Sequence, residues 1–298
     1  PLDNVEASKW IKRWVGEEAY EILWKRLFDY KFYNFTGNLS AAWIWSRIRR
    51  IGRSRYSLFR EKLGYLDGGS DTLLQALRFD IENRGGIIRL QTPVQKVVIE
   101  NNIVKGVEIA GNFEAFDKVI STAPLPYIPK IIPDLPEDIL SKFKAINNIA
   151  VVCVIAKLRK PVTNNFWLNT NDPTMDIPGL VEYSNLRPMG QHIVYAPFYI
   201  PNDHVKFSEP DQNFLDKVRK YLKEINPELE DSDFLDMHAS RYKYAQPICE
   251  PGYLERLPPA KLPAVGLWVA DTSYYYPEDR GISESIDFGR QLARNASL

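Results

Sequence analysis

G-L-W-V-A-D-T-S-Y-Y-Y-P-E-D-R-G-I-S-E-S-I-D-F-G-R-Q-L-A occupies residues 266–293. The apolar run Leu267 to Ala270 reads as a short buried strand, and a polar, aromatic loop follows it. Ile282, Ile286, Phe288 and Leu292 then recur at roughly helical spacing. Strand, loop and helix start form a geometry suited to an anion or a polarised carbonyl. The unpaired N–H groups of a first helical turn, here near Gly281, gather positive potential.

Upstream of this stretch the pattern is richer. After Gly68-Gly69 a helix is expected, with Ser70 or Asp71 as N-cap and Leu73, Leu74, Leu77 and Ile81 facing the core; Gly85-Gly86 end it. Strands are expected over Ile87–Leu90 and Val94–Ile99. The turn Glu100-Asn101-Asn102 leads into Ile103–Ile109, and Gly111-Asn112 into Phe113–Phe116. This is a β-meander, and Val119–Ser121 re-enters a sheet. Five prolines between 124 and 136 read as an extended linker.

The middle of the chain alternates differently. A helix over 137–145 precedes a long apolar strand over 149–158. Further strands are expected over 166–169, 180–183, 192–199 and 235–244, with an amphipathic helix over 211–225 that turns Phe214, Leu215, Val218, Tyr221 and Leu222 inward. Strands in succession, then a helix, imply a mixed sheet covered on one side. Its aromatic residues, Trp167, Tyr183, Tyr195 and Tyr242 among them, are candidates to line an apolar cavity.

At the front, residues 3–31 read as a packed helix pair broken at Gly16, with a stripe that includes Trp10, Ile11, Trp14, Val15, Ile22 and Leu23. A basic cluster follows: Arg47, Arg49, Arg50, Arg53, Arg55 and Arg60, interleaved with Trp43, Trp45 and Tyr56. It reads first as a solvated helix face, then as a site for a phosphorylated or carboxylated substrate or for peripheral contact with an anionic membrane. The net charge is zero and no nucleic-acid motif occurs, so nucleic acid is not expected as a partner.

Composition sets the frame. The 298 residues are 45% hydrophobic and 26% charged, enough for one large core or two domains. Cys153 and Cys249 make neither a disulfide framework nor a zinc site, and the three histidines lack ligand spacing. A reducing, cytoplasmic setting without a metal is expected. Searches for G-x-S-x-G, G-x-x-x-x-G-K and H-E-x-x-H find nothing.

The closing stretch resembles the C-terminal flavin-binding signature of the amine oxidase, protoporphyrinogen oxidase and phytoene desaturase superfamily. The run Y-P-E-D-R-G, 276–281, is similar to proteins of the protoporphyrinogen-oxidase-like group, and the resemblance extends from Gly64 onward. It implies FAD as cofactor. Asp271 matches the acidic residue that holds the ribityl chain; Gly281, Ile282 and Ser283 match the helix start beneath the flavin pyrimidine; Val94 matches a backbone contact to adenine. Thr72 falls near the turn that in such proteins lies by the flavin ring and substrate, and Cys249 falls where some tether the flavin. Amine oxidases place a lysine at a position matching Val152, which argues against amine oxidation; Lys157 lies too far along.

Such proteins begin with a strand, a G-x-G-x-x-G turn and a helix, and this sequence has no such turn. The expectation is therefore a two-domain α/β oxidoreductase fragment, inactive alone, that lacks an N-terminal Rossmann segment. Residues 1–62 would be a helical part of the substrate domain and 63–123 part of the FAD domain. Residues 124–246 would form the substrate-binding mixed sheet, and 247–298 would return to the FAD domain. Hydride transfer from an apolar or cyclic small molecule to FAD is the expected chemistry. Two alternatives stand beside it: a sugar-nucleotide-mutase-like flavin enzyme without net redox, its diphosphate held by the arginine cluster, and an inactive folded binding module.

Overall fold

The computed structural model describes residues 1–57, 60–61 and 64–297, without the side chains of Tyr56, Arg60 and Glu61. Lys62 and Leu63, where one expected domain boundary falls, lie outside the described residues, as does Leu298. The chain is a mixed α/β fold made of two compact units: residues 1–45 with 147–254, and residues 46–146 with 255–298. No described helix is long and apolar enough to cross a membrane.

In the first unit a five-stranded sheet runs in the order Phe234–Pro247, Asn148–Leu158, His192–Pro201, Gly179–Glu182, Trp167–Asn169, antiparallel in every pairing. From Ala150 onward alternation along the long strand is strict, with Val152, Val154, Ala156 and Leu158 fully buried and their odd-numbered neighbours half-buried. Those buried residues meet Phe198, Phe214, Val218 and Leu222, so the helix Asp211–Ile225 covers this face with the residues its periodicity assigns inward. Phe198 and Phe214 meet edge to face at 5.1 Å, each worth roughly 1.5–3 kcal/mol of burial.

The N-terminal helices of this unit depart from a simple packed pair. Ala7–Val15 ends at Gly16 with φ +85°, as the break predicts, but a π-helical turn, Glu21–Lys25, then precedes Arg26–Phe32. A wider turn shifts the phase of the stripe. Ile11, Phe28 and Phe32 are buried, whereas Trp14, Ile22 and Leu23 face solvent.

The second unit holds the meander, Val94–Glu100, Ile103–Ile109 and Asn112–Ala115. Asn101 and Asn102 (φ +50° and +62°), then Ala110 and Gly111 (φ +50° and +78°), take the left-handed conformations that two-residue hairpins with the sheet's own twist require. Val119–Ser121 pairs in parallel with Leu267–Val269. The helix Ile282–Ser297 packs Phe288, Leu292 and Ala296 against Trp268, Ala270 and Tyr274.

Three expectations fail in this unit. Residues 124–136 are not an extended linker: Leu125–Tyr127 and Ile128–Ile131 are short helical turns, and Leu125, Ile128 and Ile132 are fully buried. Their prolines sit in first turns, where the missing N–H costs nothing. Ile87–Leu90 forms no strand; Ile87 and Leu90 are 86% and 75% exposed. Ser70–Asn83 is helical and closes at Gly85 and Gly86 as expected, but its N-cap is Gly69, and Leu74, Leu77 and Ile81 lie exposed where a core was predicted. Amphipathic spacing reports a face that suits burial, and no described residue covers this one.

Candidate functional site

Asp271 sits immediately after the strand Leu267–Val269 and Ala270, and it caps the 3-10 turn Thr272–Tyr275. One carboxylate oxygen accepts the Ser273 N–H at 2.7 Å and the other accepts the Leu125 N–H at 2.8 Å. Burial pushes the carboxyl above the usual carboxylate range, although both amides pull the other way. Each oxygen keeps a second lone pair for a ligand hydroxyl. The residue thus fastens residue 125 to the end of the strand, a partner that sequence spacing does not reveal.

From Tyr276 to Gly281 the chain crosses to the helix Ile282–Ser297. Ile282 and Ser283 are exposed. The Ser285 N–H reaches the Gly281 carbonyl at 3.1 Å, and the Ser285 hydroxyl donates to the same oxygen. A Cβ on Gly281 would collide with the Glu284 carboxylate, which lies against Gly281 at the helix start, so a side chain here would have to displace it.

The arginine cluster is expected to be a solvated face first and a ligand site second; Arg50, Arg53 and Arg55 are exposed, whereas Arg47 is largely buried, and three of the arginines are ion-paired. Arg47 Nη2 lies 2.9 Å from Asp279 Oδ1, Arg50 Nη1 lies 3.0 Å from Asp279 Oδ2, and Arg49 pairs with Glu278. The Ser46 hydroxyl donates to the Pro277 carbonyl at 2.5 Å. The sequence signal was present, basic residues on one helix and E-D in the loop, but 229 positions separate Arg49 from Glu278. Arg60's side chain lies outside the described residues.

Val94 opens the first meander strand, opposite Ile109, and is 39% exposed. The Thr72 hydroxyl donates to the Asp67 carbonyl at 2.7 Å, a bond within its own turn.

In the first unit the register brings three of the four aromatic candidates to one face. Val181 stands opposite both Tyr195 and Trp167, Tyr195 opposite Ile155, and Tyr242 opposite Val151. Directly paired residues share a face. Trp167, Tyr195 and Tyr242 therefore lie on the side of the sheet away from Asp211–Ile225, with Trp167 and Tyr242 about half exposed. Tyr183 follows its strand in a 3-10 turn, its ring edge-on to Tyr195 at 6.4 Å. Cys153 shares this face by alternation; burial pushes its thiol up to about 11, which leaves it unreactive. Val152, matched to the amine-oxidase lysine, points to the opposite, helix-covered core and is fully buried. Cys249 is buried, and its carbonyl accepts the Ser40 N–H. Among the described residues no group of three or more His, Cys, Asp or Glu could hold a metal ion.

Comparison with known proteins places these features. The family model for flavin-containing amine oxidoreductases matches residues 1–277, ending just before Gly281. No curated protein matches the chain. Among solved structures, a protein described as a protoporphyrinogen oxidase from Exiguobacterium sp. 255-15 aligns at TM-score 0.68 and 17% identity, over 90% of this chain and 62% of its own. An oxidoreductase from Methanosarcina mazei aligns at TM-score 0.64 and 19% identity, over 89% and 62%. Reduced UDP-galactopyranose mutase aligns at 0.62 and 14%, over 84% and 58%. The chain thus spans about three fifths of the length of these structures, with which it shares a fold.

Proposed function

The chain belongs to the flavin-containing amine oxidoreductase family, and on that premise we propose that it is part of a flavin-dependent oxidoreductase acting on an apolar or cyclic small molecule. When bound, FAD supplies the redox step, accepting hydride from a substrate carbon. Asp271 holds the ribityl hydroxyls through its remaining lone pairs. The main chain of Gly281, Ile282 and Ser283 meets the pyrimidine edge, where helix-start N–H groups favour the negative charge that reduction brings. Val94 offers its backbone to the adenine. The aromatic face with Trp167, Tyr183, Tyr195 and Tyr242 contributes to the substrate site.

The observation that carries this reading is the Asp271 carboxylate at the end of its strand, anchored by the Leu125 and Ser273 N–H groups with acceptor capacity to spare, and followed by a helix start whose preceding residue, Gly281, has no side chain. The glycine-rich turn for the pyrophosphate is assigned to a segment outside these residues. Support for it comes from the solved structures' greater length and from the uncovered apolar face of Ser70–Asn83. Amine oxidation is disfavoured, because Val152 supplies no lysine and its position faces the core. The nucleotide-sugar alternative is weakened, since three arginines of the cluster, Arg47, Arg49 and Arg50, already pair with Asp279 and Glu278.

Gly281→Val tests the reading. The new side chain meets only the flexible end of Glu284, so the unfolding midpoint should stay within about 0.5 kcal/mol of wild type. In the complete protein the same change should weaken FAD binding at least about tenfold, ~1.4 kcal/mol. Unaltered FAD affinity would remove the helix start from the cofactor site.

A further inference from the structure

We propose that the cluster joining Arg47, Arg49 and Arg50 to Glu278 and Asp279 is a positioning device for the helix start at Gly281–Ser283, an inference that rests on the flavin reading above. Ser46, Arg47, Arg49 and Arg50 occupy one side of the helix Ala41–Arg53, and each reaches the loop that precedes Gly281. Asp279 is the focus. Its two oxygens are taken by two guanidiniums, and the side chains of Arg47 and Asp279 are only 12% and 13% exposed. Burial opposes the charge on Asp279, but Arg47 and Arg50 outweigh it and hold the carboxyl below its ordinary range.

A pair this withdrawn from water does not behave like a surface ion pair. Removing Asp279 takes the carboxylate away from Arg47, and removing Arg47 leaves one oxygen of a buried carboxylate without its partner, so the loop moves to rehydrate what remains. Only Arg280 and Gly281 lie between Asp279 and the first helical residue, Ile282, so loop movement displaces the first-turn N–H groups. Donors aimed at a developing charge act best when they are fixed beforehand. The sequence spends three arginines and two acids on that fixation.

The test uses Asp279→Asn, Arg47→Met and the conservative Arg47→Lys. In this chain, amide hydrogen exchange should quicken at least about tenfold over residues 285–288, the first amides bonded within the helix, in the first two variants. It should remain at wild-type rates in the strand Asn148–Leu158 and be partly restored by Arg47→Lys. In the complete protein loaded with FAD, a positioning role lowers the flavin reduction potential in both Asp279→Asn and Arg47→Met. A simple charge effect would instead move the two in opposite directions, because one variant removes a negative charge and the other a positive one. Unchanged exchange over 285–288, or opposite potential shifts, overturns the proposal. A complete wild-type protein that takes up no FAD removes the flavin reading, and the positioning role with it. Normal FAD uptake with unaltered exchange removes the positioning role alone.

Discussion

Asp271→Ala should lower the stability of the chain by about 2–4 kcal/mol as well as weakening FAD retention in the complete protein. The carboxylate accepts two backbone N–H groups, from Leu125 and Ser273, and both residues are buried. Truncation leaves both donors without an acceptor, at about 1–3 kcal/mol each, less whatever is regained by removing a buried charge. Because the folded-state pKa is raised, the contribution of this carboxyl is greatest below the ordinary carboxylate range and declines as pH rises through the folded value. At neutral pH Asp271→Asn should therefore lose less stability than Asp271→Ala: the amide keeps one acceptor and carries no charge. Urea unfolding of both variants at neutral pH checks this. Equal midpoints for wild type and Asp271→Ala would mean that the two bonds are not formed.

Gly266→Ala is expected to cost a further about 2–4 kcal/mol by a different route. Gly266 has φ +86°, and a Cβ there would stand 2.5 Å from the Asp117 carbonyl, a backbone atom that cannot swing away. Its own carbonyl accepts the Val119 N–H at 2.8 Å, the first bond of the parallel pair Val119–Ser121 with Leu267–Val269. Displacing Gly266 therefore displaces the strand that delivers Asp271. A shift of less than about 0.5 kcal/mol in the unfolding free energy would contradict this geometry.

The contrast between these residues explains what a single sequence discloses. The strand–loop–helix of residues 266–293 is legible because its period changes from strand to helix within a short span. The meander is legible because Asn101-Asn102 and Gly111-Asn112 mark its turns, although the second hairpin turns on Ala110-Gly111, one residue earlier than expected. Local chemistry fixes such features. The bond from Leu125 to Asp271 spans 146 positions, and the Arg47–Asp279 pair spans 232, so neither leaves a periodic trace. Prolines misled over 124–136 because they mark first helical turns as readily as extended chain. The helix Ser70–Asn83 was read correctly as amphipathic and wrongly as buried, since periodicity tells which face would be covered and is silent on what covers it.

The most direct test of the flavin assignment is the visible absorption spectrum of the complete open reading frame's product after gel filtration in the presence of FAD. The account predicts a retained flavin spectrum that is diminished in the protein fraction of Gly281→Val. A colourless product, with all FAD eluting as free cofactor, would contradict it.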